Sequence, residues 1–188
     1  MDIPVVVQHR HVHLSAADQA ALFGADAVMK RVADIGHEGQ AAYQETVTVV
    51  GKGGRLEDVR VLGPCREETQ VELSASEAFA LGIDAPLRVS GDVKRAASCG
   101  LKGPAGSVRS RACVIVPVRH LHCGEVDAKR LGVRHRDTVS LAPVGRPDLR
   151  IEHVAVRVHP SFGLSFHLAA DEAAQFWLHT GDRVRLER

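Results

Sequence analysis

Two imidazoles two residues apart occur in Arg10-His11-Val12-His13-Leu14-Ser15. On an extended chain, side chains at i and i+2 share one face, so His11 and His13 make a two-pronged clamp of the kind that grips a metal ion. The same arrangement returns at Arg119-His120-Leu121-His122. Each copy follows an apolar run, Val5-Val6-Val7 the first time and Val114-Ile115-Val116-Pro117-Val118 the second. A single His-x-His is most often an exposed strand that happens to carry two histidines. Recurrence at two strand ends argues against accident.

A third donor stands at an equivalent place in each half. Laying Gln70-Val71-Glu72-Leu73-Ser74-Ala75-Ser76-Glu77-Ala78 over Ser165-Phe166-His167-Leu168-Ala169-Ala170-Asp171-Glu172-Ala173 puts Glu72 and His167 at one position. The chain therefore offers two triads, His11, His13 and Glu72, and His120, His122 and His167. Three protein ligands with an open fourth position is how catalytic zinc is held, whereas structural zinc is closed by four ligands. Imidazole also accepts cobalt, nickel or iron, so the donor set defines a site more sharply than a metal. Pseudo-twofold duplication would bring both triads to one shared cleft with two neighbouring metals. The competing reading makes His167 a core histidine and Glu72 a carboxylate at a helix start.

Arg66 follows a Gly63-Pro64 break and lies six residues before Glu72, where its guanidinium could fork onto phosphate. A surface pairing with Glu67 or Glu68 is the alternative. Cys123 directly follows His122 and on a strand faces away from both imidazoles, which favours a buried thiol over a ligand. His9 shares the first clamp's face and is a candidate to orient it. His37, His135, His153, His159 and His179 have no repeat partner and read as surface or core residues.

The elements that must carry these side chains come in a repeated order of strand, clamp, short helix. After the first clamp, Ser15-Ala16-Ala17-Asp18 resembles a capping box with Asp in the Glu position, and the helix ends at Gly24. Met29 to Gln40 reads as irregular. Thr46 to Val50 and Leu56 to Leu62 read as a hairpin around Gly51-Lys52-Gly53-Gly54. Ser74-Ala75-Ser76-Glu77 is a second capped helix start, and Leu87 to Asp92 returns to strand. The glycine-dense stretch Gly100 to Ser107 marks the middle of the chain and is taken as a boundary. The second half then gives a helix over Val126 to Gly132 and strands over Thr138 to Leu141 and Arg150 to Val158. Internal duplication follows, with halves over residues 1–100 and 101–188 between which strands can be exchanged.

Length and composition bound the rest. A chain of 188 residues, 45% apolar and 25% charged with a formal net charge of +1, can bury one large core or two small ones. That charge balance points to neither nucleic acid nor a membrane surface. No apolar run approaches the ~20 residues of a membrane span. Cys65, Cys99, Cys113 and Cys123 have no C-x-x-C spacing, so neither a disulfide framework nor a thiolate zinc site is indicated, and reduced thiols in a cytoplasmic setting are expected.

Four of these stretches together resemble a known family: Arg10-His11-Val12-His13-Leu14-Ser15; Val61-Leu62-Gly63-Pro64-Cys65-Arg66 through Thr69-Gln70-Val71-Glu72; Lys102-Gly103-Pro104-Ala105-Gly106-Ser107-Val108; and Arg119-His120-Leu121-His122. In this order they look like the PduL-type phosphate acyltransferases, the phosphotransacylases associated with bacterial microcompartments, and the resemblance covers nearly the whole chain. It implies a mainly β fold with short helices, built as two β-barrels, with two zinc ions in one active site. It also implies exchange of a short acyl group between coenzyme A and phosphate. Carried over, His11, His13 and Glu72 match the ligands of one zinc, and His120, His122 and His167 those of the other. Arg66 matches the phosphate-binding arginine, while Arg60 and Leu62 fall where the family touches coenzyme A. The implied partners are acyl-CoA or CoA and phosphate or acyl phosphate, and a homodimer is compatible with the resemblance.

Several positions depart from the family pattern. Gln8-His9 replaces Ser-Asn before the first clamp, Glu38-Gly39-Gln40 replaces Pro-Gly-Gln, and Ala33 stands where a lysine is expected, with Lys30 and Arg31 nearby. These changes gather where coenzyme A would lie. Cys123 replaces a common methionine. Met1 lies a few residues before the first strand, so no microcompartment-targeting extension is expected. Two rival readings remain: a metal-dependent hydrolase of thioesters or acyl phosphates, and a non-catalytic metal-binding protein.

Overall fold

A computed structural model describes residues 1–35 and 39–187, so the readings placed on His37 and Glu38 lie outside the described residues. In chain order the elements are β1 (Ile3–Gln8), β2 (His11–Ser15), α1 (Ala16–Phe23), β3 (Arg31–Asp34), β4 (Ala41–Val50), β5 (Arg55–Arg66), β6 (Gln70–Glu72) and α2 (Ala75–Ala80). There follow β7 (Leu87–Arg88), β8 (Ala97–Lys102), β9 (Ser107–Pro117), β10 (His120–Cys123), α3 (Glu125–Leu131), β11 (Thr138–Pro143), β12 (Ile151–Val158), β13 (Ser165–Ala169), α4 (Ala170–Gln175) and β14 (Arg183–Leu186). The fold is mainly β with short helices, and none of the described helices is long and apolar enough to cross a membrane.

The chain divides into two compact units, Arg10–Pro117, and Met1–His9 with Val118–Arg188. In the first, β4, β5, β2, β6 and β9 are neighbours in that order, and β8 pairs with both β9 and β4, closing a six-stranded barrel. In the second, β1, β13, β10, β12, β11 and β14 form a closed barrel. Closure leaves no open sheet edge in either ring.

The units do not coincide with the expected halves 1–100 and 101–188. Gly103 to Gly106 is a tight turn joining β8 to β9 inside one barrel, where Gly103 N–H bonds the Gly106 carbonyl at 2.9 Å. Ala105 N–H bonds the Leu22 carbonyl at 2.9 Å, and a Cβ on Gly103 would lie 2.4 Å from that same oxygen. Glycine is required there by close packing on the end of α1, which composition alone reads as a linker. The repeat has each clamp strand preceded by a partner strand. β1, which precedes the first clamp, pairs in parallel with β13, and β9, which precedes the second, pairs in parallel with β6.

Four further local readings change. The strand expected over Leu87 to Asp92 is confined to Leu87–Arg88, and the chain turns at Ser90-Gly91, where Gly91 has a positive φ of 99°. The strand expected to break at Gly63-Pro64 runs on to Arg66, with the pairing irregular between His13 and Ser15, because a proline nitrogen cannot donate to the ladder and the register steps past it. Within the stretch read as irregular, β3 pairs with β4, and its four exposed residues carry no burial pattern by which a strand is recognised. At α1 the Ser15 hydroxyl accepts from Asp18 N–H at 3.1 Å, but the reciprocal arm is absent. The Asp18 carboxylate accepts from Thr69 Oγ1, which in turn accepts from Ser15 N–H at 2.9 Å. The expected capping box at α2 is complete between Ser74 and Glu77.

Period-2 alternation separates the two faces of each clamp strand. Val12 and Leu14 enter a core with Val47, Val59, Val71, Leu101 and Val114. Leu121 and Cys123 enter the other with Val5, Ile151, Val154, Phe166 and Leu168. The histidines therefore face away from the barrel cores, yet His11, His13, His120 and His122 are all buried. Polar side chains in that position need partners. Burial pushes the Cys123 thiol up to about 11, in keeping with its place in the core. Cys99 and Cys113 face each other as free thiols, Sγ to Sγ 3.6 Å.

Candidate functional site

In the unit formed by residues 10–117, β2 lies between β5, parallel, and β6, antiparallel. His11 stands beside Arg60 and directly across from Glu72, and His13 stands beside Leu62 and across from Gln70. Arg60 and Leu62 thus flank the clamp on the neighbouring strand, in register with its two prongs. Arg60 is exposed, and its Nη1 donates to the Tyr43 and Gln44 carbonyls at 3.0 and 2.7 Å. The strand supporting both is seated closely on β4, where a Cβ at Gly63 would collide with the Tyr43 ring.

The first triad is brought together in part. His11 Nε2 lies 3.5 Å from Glu72 Oε2, and the His11 and His13 ring centres are 5.3 Å apart. Burial disfavours a charged Glu72, but the His11 imidazole, hydrogen bonds from His11 and Ser90, and His13 together hold its carboxyl below the usual carboxylate range. His13 Nε2 is 2.8 Å from Arg66 Nη2. A guanidinium can only donate, so that nitrogen accepts and the ring is neutral. Burial, with the Arg66 and His11 charges, pushes His13 down to about 3. Arg66 therefore lies against a candidate metal ligand of its own unit, half-buried, with a cationic fork suited to an oxyanion.

In the other unit β10 lies between β12, parallel, and β13, antiparallel. His120 is across from His167, and His122 is across from Ser165. One donor nitrogen from each of His120, His122 and His167 lies within 4.8 Å of the others, and all three residues are buried. Zn–N bonds of ~2.0–2.1 Å place tetrahedral ligands ~3.4 Å apart, so small side-chain rotations close this set on an ion. His120 Nδ1 is 2.8 Å from the Val118 carbonyl oxygen. That oxygen only accepts, so Nδ1 carries the proton and Nε2 offers its lone pair to a metal. The three-imidazole set is what catalytic zinc takes, and the residues fit the ion. Phe162 stacks on His122 with ring centres 4.0 Å apart, and the Arg157 guanidinium lies over the Phe162 ring at 5.5 Å.

Sequence reasoning missed Phe162, the Val118 carbonyl, Gln70 and Ser165. The last two were within reach, because the alignment that pairs Glu72 with His167 also pairs Gln70 with Ser165. Of the remaining histidines, His9, His135, His153, His159 and His179 are exposed.

Comparison with known proteins adds a family to this geometry. The family model described as phosphate propanoyltransferase matches residues 4–179. A phosphate propanoyltransferase of Thermotoga maritima is 43% identical over 183 residues, covering 97% of this chain and 87% of that one. One from Rhodobacter capsulatus is 41% identical over 186 residues, covering 99% and 86%. One from Klebsiella pneumoniae is 43% identical over 173 residues, covering 91% and 81%.

Proposed function

The chain belongs to the phosphate propanoyltransferase family, an acyltransferase family, and on that premise we propose that it interconverts acyl-CoA and phosphate with acyl phosphate and CoA, on acetyl- or propanoyl-like chains. The observation that carries the site assignment is the convergence of His120, His122 and His167 within 4.8 Å, buried, on strands whose register is repeated around His11, His13 and Glu72. A metal ion at each triad, two per chain and zinc by donor chemistry, is part of the proposal.

Bound there, a divalent metal would polarise the thioester carbonyl and stabilise charge on the departing sulfur. The chain's own groups do the rest. The Arg66 guanidinium binds and orients phosphate so that one of its oxygens faces the carbonyl carbon. In the forward direction the new C–O bond forms, the C–S bond breaks, and coenzyme A leaves as thiolate while the phosphate proton passes to solvent. Arg60 and Leu62, aligned with the clamp on β5, are proposed to contact coenzyme A. His120 is held in one tautomer by Val118, so its ligating nitrogen needs no rearrangement before substrate binds. Among the described residues Ser161 and Ser165 contact an imidazole, His159 Nδ1 at 2.7 Å and His167 Nε2 at 2.8 Å. His159 is exposed and His167 is assigned to the metal, so direct attack by phosphate is proposed rather than an acyl-enzyme. Activity in the bacterial cytoplasm and assembly as a homodimer complete the proposal; light scattering tests the assembly.

The test is an assay with acetyl-, propanoyl- and butanoyl-CoA, with and without phosphate, together with metal analysis of the same sample. CoA release that requires phosphate, falls on chelation and returns with zinc supports the transferase. Release that proceeds equally without phosphate would make the protein a hydrolase, and two tightly held metals with no turnover would make it a binding protein.

A further inference from the structure

The residue opposite the second histidine of each clamp is polar in both barrels, and in both it is bonded to the third donor. Gln70, across from His13, directs Nε2 at Glu72 Oε1 at 2.5 Å. Ser165, across from His122, has Oγ 2.8 Å from His167 Nε2. The register explains the coincidence. On a strand the i and i+2 side chains share a face, so the residue two before the third donor is its nearest neighbour on the clamp side.

We propose that Gln70 and Ser165 are positioning residues, each selecting which atom of its triad's third donor faces the metal; this rests on the metal assignment made above. The bonds on their far sides determine the direction of each contact. The Gln70 Oε1 accepts from Gly91 N–H at 2.8 Å, so the amide presents its N–H side to the carboxylate, with Ser90 Oγ 3.1 Å from the same nitrogen. Glu72 Oε1 is therefore occupied by a donor, and Oε2, which lies 3.5 Å from His11 Nε2, is the oxygen turned toward the clamp. At Ser165 the hydroxyl lies 3.3 Å from the Gly163 carbonyl, to which it can only donate. Having one hydrogen, Oγ then accepts from His167, so His167 carries its proton on Nε2 and ligates through Nδ1. His120 has the opposite tautomer, with Nδ1 protonated against Val118. The three-histidine site thus mixes one Nδ1 with one Nε2 ligand, and Ser165 is the group that makes it so. An amide holding a carboxylate in one barrel and a hydroxyl holding an imidazole in the other also makes the two sites chemically unequal, so each can be perturbed alone.

The experiment compares purified wild-type protein with Ser165→Thr, Ser165→Val and Gln70→Met, titrating each metal-free form with Zn2+ against a chromophoric chelator and recording the visible spectrum of the Co2+-loaded form. Thr and Val have the same shape and differ at this position only by the hydroxyl, so folding effects cancel between them; circular dichroism and thermal midpoints of the metal-free forms check this. Ser165→Val is expected to weaken one of two Zn2+ sites about ten- to hundredfold and to change the Co2+ bands, with Ser165→Thr within threefold of wild type. Gln70→Met is expected to weaken the other site and leave the first. Equal affinity and identical Co2+ spectra for the Thr and Val variants would overturn the role of Ser165, and an unchanged second site in Gln70→Met that of Gln70. A wild-type protein that binds no metal would overturn the underlying assignment instead, which distinguishes the two failures.

Discussion

Arg119 reaches from the start of β10 to Glu172 in the first turn of α4, Nη1 to Oε1 3.0 Å, and Arg10 reaches Glu77 of α2 at the same distance from the start of β2. Each clamp is thus tied at its entrance to the helix that follows its third donor. The two pairs match residue for residue in the repeat, in agreement with an internal duplication that kept side-chain geometry as well as topology.

Loss of this tie should cost more in the second barrel. Arg119 and Glu172 are 23% and 26% exposed, against 40% and 23% for Arg10 and Glu77, so screening by water is weaker there. Glu172→Gln keeps the side chain's shape at the helix start and should lower stability by at most about 1 kcal/mol, because burial, which raises the Glu172 carboxyl above its usual range despite Arg119, offsets part of the tie. For a chain of this length that corresponds to a thermal midpoint at most ~2–4 °C lower. Glu77→Gln should lower it by about half as much, as differential scanning calorimetry would show.

Arg66→Lys should separate phosphate binding from thioester binding. Lysine keeps the charge but loses the planar fork, and a hydrogen bond to a charged group contributes about 1.5–3 kcal/mol. The KM for phosphate is expected to rise about ten- to hundredfold while that for acyl-CoA stays within twofold, read from initial rates at fixed co-substrate. Equal increases in both would remove Arg66 from the phosphate site.

Stability of the metal-free protein should fall in acid. His13, at about 3 when folded and 6.5 as a free side chain, is neutral in the fold at every pH above about 3. Between these values the unfolded chain binds the extra proton, so stability rises with pH across the window and is lost as pH falls from about 6.5 toward 3. From pH 7 to pH 5 the loss attributable to this group is about 2 kcal/mol. Urea midpoints at the two pH values, compared with those of His13→Gln, measure it; a variant with the same pH slope as wild type would rule His13 out as its source.

Gly103→Ala tests the corrected boundary. Its Cβ would press on the Leu22 backbone at the end of α1, so the substitution should destabilise by about 1–3 kcal/mol. A flexible linker at this position would tolerate alanine with no change in denaturation midpoint.

The histidine clamps, their recurrence, the equivalence of Glu72 with His167, and the helix starts at Ser15 and Ser74 were all determined by sequence, because each depends on spacing along one short segment and on strand periodicity. Tertiary structure decided what joins segments far apart. It made Gly103 to Gly106 a packed turn and carried β5 through Pro64. It sent β1 and β9 to barrels that do not follow the repeat boundary. It also set His13 against Arg66, and Gln70 and Ser165 against the donors they hold. The physical reason is the same throughout: a register between strands, and the one face of an imidazole that receives a hydrogen bond, are fixed by neighbours up to a hundred or more residues away, which no local pattern encodes.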